Sequence, residues 1–450
     1  MKSIILGLFL FALAWCDRKD GMSVLIIGDS NTETGFTSKA LADTMRTYFG
    51  VASAGTGYIP LNSGFYEISS HLISDVTISY QNTWKFIDMF EGYPRQTAKP
   101  YLSPSGHWLT SSTVNAVATV TFPGNGVDIY WLANTTGGSF SIIVDNVTDT
   151  TVNTAGPHGV QKTEISGLTS GNHTVQFKVT SVPASGSVIL LGFDARSNFS
   201  AVTSRPVVHN WGNGWSATSD FLDIDSVIFA TGLQKLAPDI VVVLLGTNDH
   251  LQSSRSALDV KTNLKAIINR IKAAGLTGKI MLVSTFMTNN SSGATLVPQY
   301  RAISWPQAAS ETGVAYWDMS TWFGVGSNAL MQDANHVNLA GGKKIGVEMF
   351  RQILEKFPPV STSETHARAA TKLKSFARYT NGRLLVPIDG EGSFHIEVAD
   401  LRGTLILKRN GNASESHVVD FGLVHLDTGM YIVKVHQGES NATWSIAVSR

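Results

Sequence analysis

Two kinds of hydrophobic pattern alternate along the chain. Residues 23–27 (SVLII) form an unbroken apolar run, the mark of a strand covered on both faces, and 38–49 then reads as a helix. The same rhythm resumes late. Residues 239–245 (DIVVVLL), 279–284 and 314–318 read as strands, 254–274 as an amphipathic helix carrying Ile267, Ile268 and Ile271, and 338–357 as a closing helix. Strands separated by helices predict a parallel sheet joined by right-handed crossovers. Between about residues 64 and 198 the period changes. Short alternating segments at 117–122, 127–131, 139–144 and 174–179 are divided by Gly/Asn turns such as 123–126 (PGNG). Strands at roughly ten-residue spacing with such turns predict a β-sandwich. Because the α/β pattern stops before this zone and restarts after it, the sandwich is expected to be an insert. After Pro358 and Pro359, residues 360–383 lack a sustained apolar face, and 394–400, 404–408, 417–421 and 430–435 read as strands of a small all-β module.

The expected division is therefore a discontinuous α/β domain (22–63 and 200–357), an inserted sandwich (64–199), a linker (358–383) and a C-terminal β-sandwich (384–450). A chain of 450 residues is in any case too long for one ordinary core. Its 34 basic and 34 acidic side chains balance, which argues against a nucleic-acid partner, since that requires a basic face. Charged residues make up only 15%, against roughly 25% in an average soluble domain, and with abundant Gly this suggests β-rich extracellular material. The single cysteine excludes a disulfide framework and any Cys-based zinc cluster.

That cysteine, Cys16, directly follows the apolar run 4–15 (IILGLFLFALAW), itself preceded by Lys2. The run is shorter than the roughly 20 residues that span a bilayer and matches the core of a secretion signal over residues 1–16. Ala12, Leu13 and Ala14 supply a small-x-small cleavage site. Leu13 to Cys16 also resembles a lipoprotein box, but the bulky Trp15 stands where a small residue is usual, so cleavage is favoured over a lipid anchor. No later stretch reads as a transmembrane helix, and a secreted or cell-surface protein is expected.

The chemistry gathers at strand ends. The strand at 23–27 runs into Gly28, Asp29 and Ser30, where an α/β fold exposes nucleophiles; alone, such a tripeptide is equally a helix-capping turn. Asp333 stands three residues before His336, a spacing that lets a carboxylate hold the imidazole through Nδ1 while Nε2 faces a hydroxyl. The strand at 239–245 ends in Gly246, Thr247, Asn248 and Asp249, bringing an amide to the same sheet edge as Ser30. A short strand at 206–209 leads into 210–215 (NWGNGW), where a glycine lets a backbone N–H approach a substrate oxygen. These residues meet the needs of acyl transfer: Ser30 attacks, His336 takes its proton, Asp333 orients His336, and the N–H groups of Ser30 and Gly214 with the Asn248 amide bind the oxyanion. Gly212 is the alternative to Gly214. Asp29, His209 and Trp215 flank the motifs as candidate substrate contacts; His250 reads as a solvated loop histidine, and Asp249 as an acceptor for loop N–H groups.

In type and order these segments resemble the SGNH/GDSL hydrolase superfamily, whose blocks I, II, III and V carry Ser, Gly, Asn and Asp-x-x-His. The resemblance implies a flavodoxin-like three-layer fold and esterase chemistry with neither metal nor other cofactor. The string Ser170-Gly171-Asn172-His173 lies in the insert and is unrelated to it. Peptidoglycan O-acetylesterases and some polysaccharide acetylesterases carry a similar jelly-roll insert resembling carbohydrate-binding modules. Such an insert stacks aromatics on sugars, with Trp84, Trp108 and Trp131 as candidates or, alternatively, as core residues. The last 70 or so residues, with 398–403 (VADLRG) and 426–435 (LDTGMYIVKV), are similar to the C-terminal sorting domain of type IX secretion substrates and imply secretion machinery as a partner. The expected activity is removal of O-acetyl groups from a polysaccharide, as in acetylxylan esterases, by a monomer. Peptidoglycan O-acetyl esterase, lipid esterase and an inactive carbohydrate-binding surface protein are the competing readings.

Overall fold

The computed structural model describes residues 22–49, 55–61, 76–89, 99–196, 206–252, 254–276, 279–286, 291–324 and 329–357. In the C-terminal part it describes 377–448 apart from 381–382, 389–390, 401–403, 415–416, 425, 428 and 438–439. The expected secretion signal with Cys16, and most of the expected linker, lie outside these residues.

Five strands form one parallel sheet: β1 (Ser23–Gly28), β2 (Val207–Gly212), β3 (Ile240–Leu244), β4 (Lys279–Val283) and β5 (Ala315–Trp317). Their order is β2-β1-β3-β4-β5, the flavodoxin-like arrangement, in which the strand order reverses between β1 and β3 and ligands bind beyond the carboxyl ends of those strands. Helices complete the layers. The long helix Ala257–Ala273 starts on the N-cap Ser256, whose Oγ accepts the Asp259 N–H, and buries Val260, Leu264, Ile267, Ile268 and Ile271 along one face. The closing helix Leu339–Lys356 lies against α2 (Phe36–Phe49) through glycines. A Cβ on Gly342 would stand 2.3 Å from that of Phe36, and one on Gly346 2.7 Å from that of Ala40.

Between β1 and β2 the chain builds an antiparallel sandwich. One sheet pairs Gly159–Ile165, Gly126–Ala133, Val188–Arg196, His107–Ser111 and Lys85–Asp88 in that order, and the short strand Ile59–Pro60 also joins Val188–Arg196. The sandwich sheet thus begins before residue 64. The second sheet runs Thr77–Gln81, Val117–Gly124, Gly171–Ser181, Ser139–Val144, Val147–Asn153. Val188–Arg196 is buried almost throughout because both its faces are covered. Val188 and Leu190 point into the sandwich core with Phe122, Phe140 and Phe177, while Ile189 and Leu191 join the core of the α/β domain with Trp211, Phe229 and Leu233. Each such side chain contributes about 1.5–3 kcal/mol on burial. The rings of Tyr58 and Trp211, 6.4 Å apart and edge-on, sit in the same shared core. The insert is therefore packed into the α/β domain, with Trp84 and Trp108 buried as core residues and Trp131 partly buried, its Nε1 donating to Thr163 Oγ1.

The C-terminal part has its own core. A three-stranded sheet (Arg378–Thr380, Arg383–Ile388, His417–Leu423) and a four-stranded one (Leu405–Ala413, Gly392–Asp400, Gly429–Gln437, Ser440–Val448) bury Leu384, Val386, Ile396, Val398, Val433 and Ile446.

Candidate active site

Ser30 opens the one-turn helix α1 (Ser30–Glu33) at the carboxyl end of β1. The turn into it is tight. A Cβ on Gly28 would fall 2.0 Å from Thr32 Oγ1, so only glycine fits. Asp29 caps the helix, accepting the Asn31 N–H at 3.0 Å, and is buried. Burial raises its pKa, opposed by the Asn31 N–H and by Thr247. Asp29 thus shapes the turn from beneath rather than standing in the cleft.

Ser30 Oγ lies 2.9 Å from His336 Nε2, and His336 Nδ1 lies 2.8 Å from Asp333 Oδ2. Asp333 Oδ1 also accepts the N–H groups of Asn335 and His336 at 2.7 and 2.8 Å, folding residues 333–336 into a tight loop ahead of the closing helix. Partial burial would raise the Asp333 pKa; the Asn335 N–H and the contacts with His336 outweigh it and hold the carboxyl below its ordinary value. The carboxylate is therefore charged where it faces the imidazole.

Gly212 and Gly214 separate cleanly. Gly212 ends β2, and its N–H is 2.7 Å from Asn210 Oδ1. A Cβ there would stand 2.2 Å from the Glu33 nitrogen, so Gly212 serves close packing of β2 on α1. Gly214 sits in the following turn, buried, and no hydrogen bond to its N–H is found among the described residues. The turn is held by the Asn213 N–H on Gly28 O at 3.0 Å and the Ser216 hydroxyl on Asn213 Oδ1 at 2.7 Å. Asn248, buried just beyond β3, donates from Nδ2 to Ser216 O at 3.1 Å, which fixes its amide beside this turn.

Trp215, next to Gly214 in the chain, is 41% exposed with φ +58°, in the left-handed region. His209 does not reach the site. It lies buried within β2, three residues before its end, with Nδ1 accepting the Tyr58 N–H at 3.0 Å. His250 is likewise no solvated loop residue. It is 1% exposed in the helix Thr247–Gln252, and burial lowers its pKa to about 4, so it is neutral at physiological pH. Asp249 accepts the N–H and hydroxyl of Thr218 at 3.0 and 2.7 Å, as its reading as an acceptor for loop donors predicts.

Two residues escape the motif reading. Asn31 donates from Nδ2 to Asn335 O at 3.1 Å and accepts the Val337 N–H on Oδ1 at 3.0 Å, tying the Ser30 turn to the His336 loop. Asn210 donates to Thr32 O at 2.7 Å and so joins β2 to α1. Short polar side chains next to strand ends were the available signal, but their partners lie far away in sequence. Among the described residues, one group of imidazole and carboxylates has potential ligand atoms all within 4.8 Å: Glu33, Asp88 and His107, all buried.

Residues 195–344 match the GDSL-like lipase/acylhydrolase family, a span that includes Gly214, Asn248, Asp333 and His336 and begins after Ser30. Residues 380–449 match the secretion system C-terminal sorting domain. No curated protein sequence matches the chain significantly. Among solved structures, a peptidoglycan O-acetylesterase is similar over 75% of this chain and 91% of its own, at 13% identity and a TM-score of 0.57. A family two carbohydrate esterase from Clostridium thermocellum aligns over 62% of this chain and all of its own, at 12% identity and a TM-score of 0.28. One from Cellvibrio japonicus covers 62% and 98%, at 13% identity and a TM-score of 0.27. The first shows the shared fold, and the sorting domain marks the protein as handled by secretion machinery and secreted or held at the cell surface. No helix among the described residues is long and apolar enough to cross a membrane. The chain carries a hydrolase domain of the GDSL-like lipase/acylhydrolase family, of SGNH fold, with a C-terminal sorting domain behind it, and is a carboxylic ester hydrolase.

Proposed function

We propose that the protein removes O-acetyl groups from a polysaccharide outside the cell, with Ser30 as nucleophile. The observation that carries this reading is the chain of contacts from Ser30 Oγ to His336 Nε2 at 2.9 Å and from His336 Nδ1 to Asp333 Oδ2 at 2.8 Å. His336 takes the Ser30 proton as Oγ forms its bond to the acetyl carbon. The negative charge moves onto the carbonyl oxygen, where the N–H groups of Ser30 and Gly214 and the Asn248 amide receive it. Collapse breaks the bond to the sugar oxygen, which leaves with the proton from His336. Water, deprotonated by His336, then releases acetate and restores Ser30. Asp333, charged and hydrogen-bonded, keeps Nε2 facing Ser30 and stabilises the imidazolium in both halves.

Several features support a carbohydrate substrate. Trp215 presents an aromatic surface beside Gly214, suited to stacking on a sugar ring. The two ends of the catalytic sequence flank a sandwich insert that shares a core with the hydrolase domain. Acetylated plant polysaccharide such as xylan or pectin is the leading substrate. Peptidoglycan is the second, favoured by the fold likeness to a peptidoglycan O-acetylesterase over three quarters of the chain. The same reading includes the domain division inferred from sequence, with the insert's sheet starting at Ile59–Pro60, a cleaved signal over residues 1–16 and a monomeric enzyme.

The test is acetate release from acetylated xylan, acetylated pectin and O-acetylated peptidoglycan by wild type and Ser30→Ala. Release from a polymer by wild type, lost in the variant, supports the reading and names the substrate. Tight binding with no release from any polymer overturns it in favour of a sugar-binding role.

A further inference from the structure

Behind the turn that carries Gly214 lies a cluster of buried charge that ester hydrolysis does not use directly. His107 opens the sandwich strand His107–Ser111 and is 0% exposed. Its Nδ1 is 3.1 Å from Asp88 Oδ2, on the neighbouring strand Lys85–Asp88, and its Nε2 is 3.0 Å from Glu33 Oε1, on α1 three residues after Ser30. The same Nε2 is 3.1 Å from the carbonyl oxygen of Gly212 and 3.0 Å from the Asn213 side-chain amide. Gly106, at φ +79°, brings the strand close: a Cβ there would be 2.7 Å from Asn213 Nδ2. The sandwich, the nucleophile helix and the turn through Gly214 therefore meet at one imidazole.

Both ring nitrogens face oxygen acceptors, a carboxylate each and a carbonyl besides on Nε2. With both nitrogens protonated the ring pairs electrostatically with both carboxylates, and no lone pair is left for a metal. As placed, Asn213 points Nδ2 at His107 Nε2 and Oδ1 at the Ser216 hydroxyl; the doubly protonated ring requires this amide to turn over, which reverses the Ser216 bond and gives up the 3.4 Å contact from Nδ2 to Ser105 O. Asp88 and Glu33 are the charged groups facing the ring among the described residues. Burial alone would lower the imidazole pKa; Asp88 first, then Glu33, reverse this and raise it to about 10.

We propose that His107, held as an imidazolium between Asp88 and Glu33, is a positioning residue of the esterase site: it fixes Gly212 and Asn213, and through them the Gly214 N–H, against the helix that carries Ser30. This rests on the reading of Gly214 as an oxyanion donor. It gives the insert a role in catalysis independent of any sugar contact. Because its pKa is raised on folding, the clamp is intact below the ordinary histidine value of 6.5 and is lost as pH rises through about 10.

The test compares wild type, His107→Gln, Glu33→Gln and Asp88→Asn on p-nitrophenyl acetate, with nitrogen NMR of histidine-labelled protein. The expected spectrum shows both His107 ring nitrogens protonated at neutral pH. The expected kinetics are a kcat about ten- to a hundred-fold lower in His107→Gln with KM within about three-fold, as for a misplaced donor. In Glu33→Gln the alkaline limb of kcat moves toward neutral pH, a change that a purely structural role would not produce. If His107→Gln does not fold, Glu33→Gln carries the kinetic test. A neutral His107 at pH 7, wild-type kcat in folded His107→Gln, or a stoichiometric divalent ion bound at the cluster overturns the proposal. A wild type inert toward the ester, or Ser30→Ala as active as wild type, instead overturns the esterase reading, and the NMR result then still decides the charge on His107.

Discussion

Asn31 binds Val337 across 306 positions of sequence: its Oδ1 accepts the Val337 N–H at 3.0 Å, while its Nδ2 reaches Asn335 O at 3.1 Å. One side chain thus holds residues on both sides of His336, and it belongs to the residue directly after Ser30. The 2.9 Å contact between Ser30 and His336 depends on two loops from opposite ends of the domain, and Asn31 is what joins them.

Asn31→Ala removes both bonds and leaves the buried Val337 N–H without its acceptor. It is expected to lower stability by about 1–3 kcal/mol and to lower kcat on a small acetyl ester more than KM changes. Thermal unfolding and steady-state kinetics on one preparation check both, and an unchanged kcat in a folded variant would contradict the positioning role.

Asn248 and Gly212 make a contrasting pair. On the proposed mechanism Asn248→Ala removes an oxyanion donor, and kcat is expected to fall roughly a hundred- to a thousand-fold. Gly212→Ala would set a Cβ 2.2 Å from the Glu33 nitrogen, so its effect is expected on folding and on the placement of α1. Circular dichroism and melting separate the two: Asn248→Ala keeps its fold and loses only the stability of its bond to Ser216 O, and Gly212→Ala loses far more.

His250 sets an acid limit on stability. Its folded pKa, about 4, lies below the ordinary value of 6.5, because burial disfavours the charged ring. The unfolded chain therefore gains a proton that the fold excludes. The stabilisation is fully present above pH 6.5 and is lost as pH falls toward 4, by up to about 3 kcal/mol. Denaturant unfolding of wild type and His250→Gln across that range checks this, with the variant expected to lose less stability on acidification.

The parallel strands were legible because a strand covered on both faces is apolar throughout, as in β1 and β3. The Asp333-x-x-His336 pair was legible because its three-residue spacing already makes the loop. What escaped depends on partners remote in sequence. Asn31 resembles any polar turn residue until Asn335 and Val337 arrive, and His107 is one polar residue among alternating sandwich strands until it meets Glu33. His250 follows a loop motif, yet its short helix packs inward, so a histidine read as solvated is buried. Trp84 and Trp108 show the same difficulty from the apolar side: the sequence displays an aromatic, and only packing tells a core residue from a sugar platform. The insert's strand Val188–Arg196 escaped its short alternating template because a second core covers its outer face.

The central claim is that Ser30 accepts the acyl group, and covalent trapping tests it most directly. A fluorophosphonate esterase probe should add one equivalent to the intact protein, with the adduct on the peptide containing Ser30, and labelling should fall away in Ser30→Ala and slow markedly in His336→Ala. An adduct on any other residue, or hydrolysis of acetyl esters by Ser30→Ala at the wild-type rate, would contradict the account.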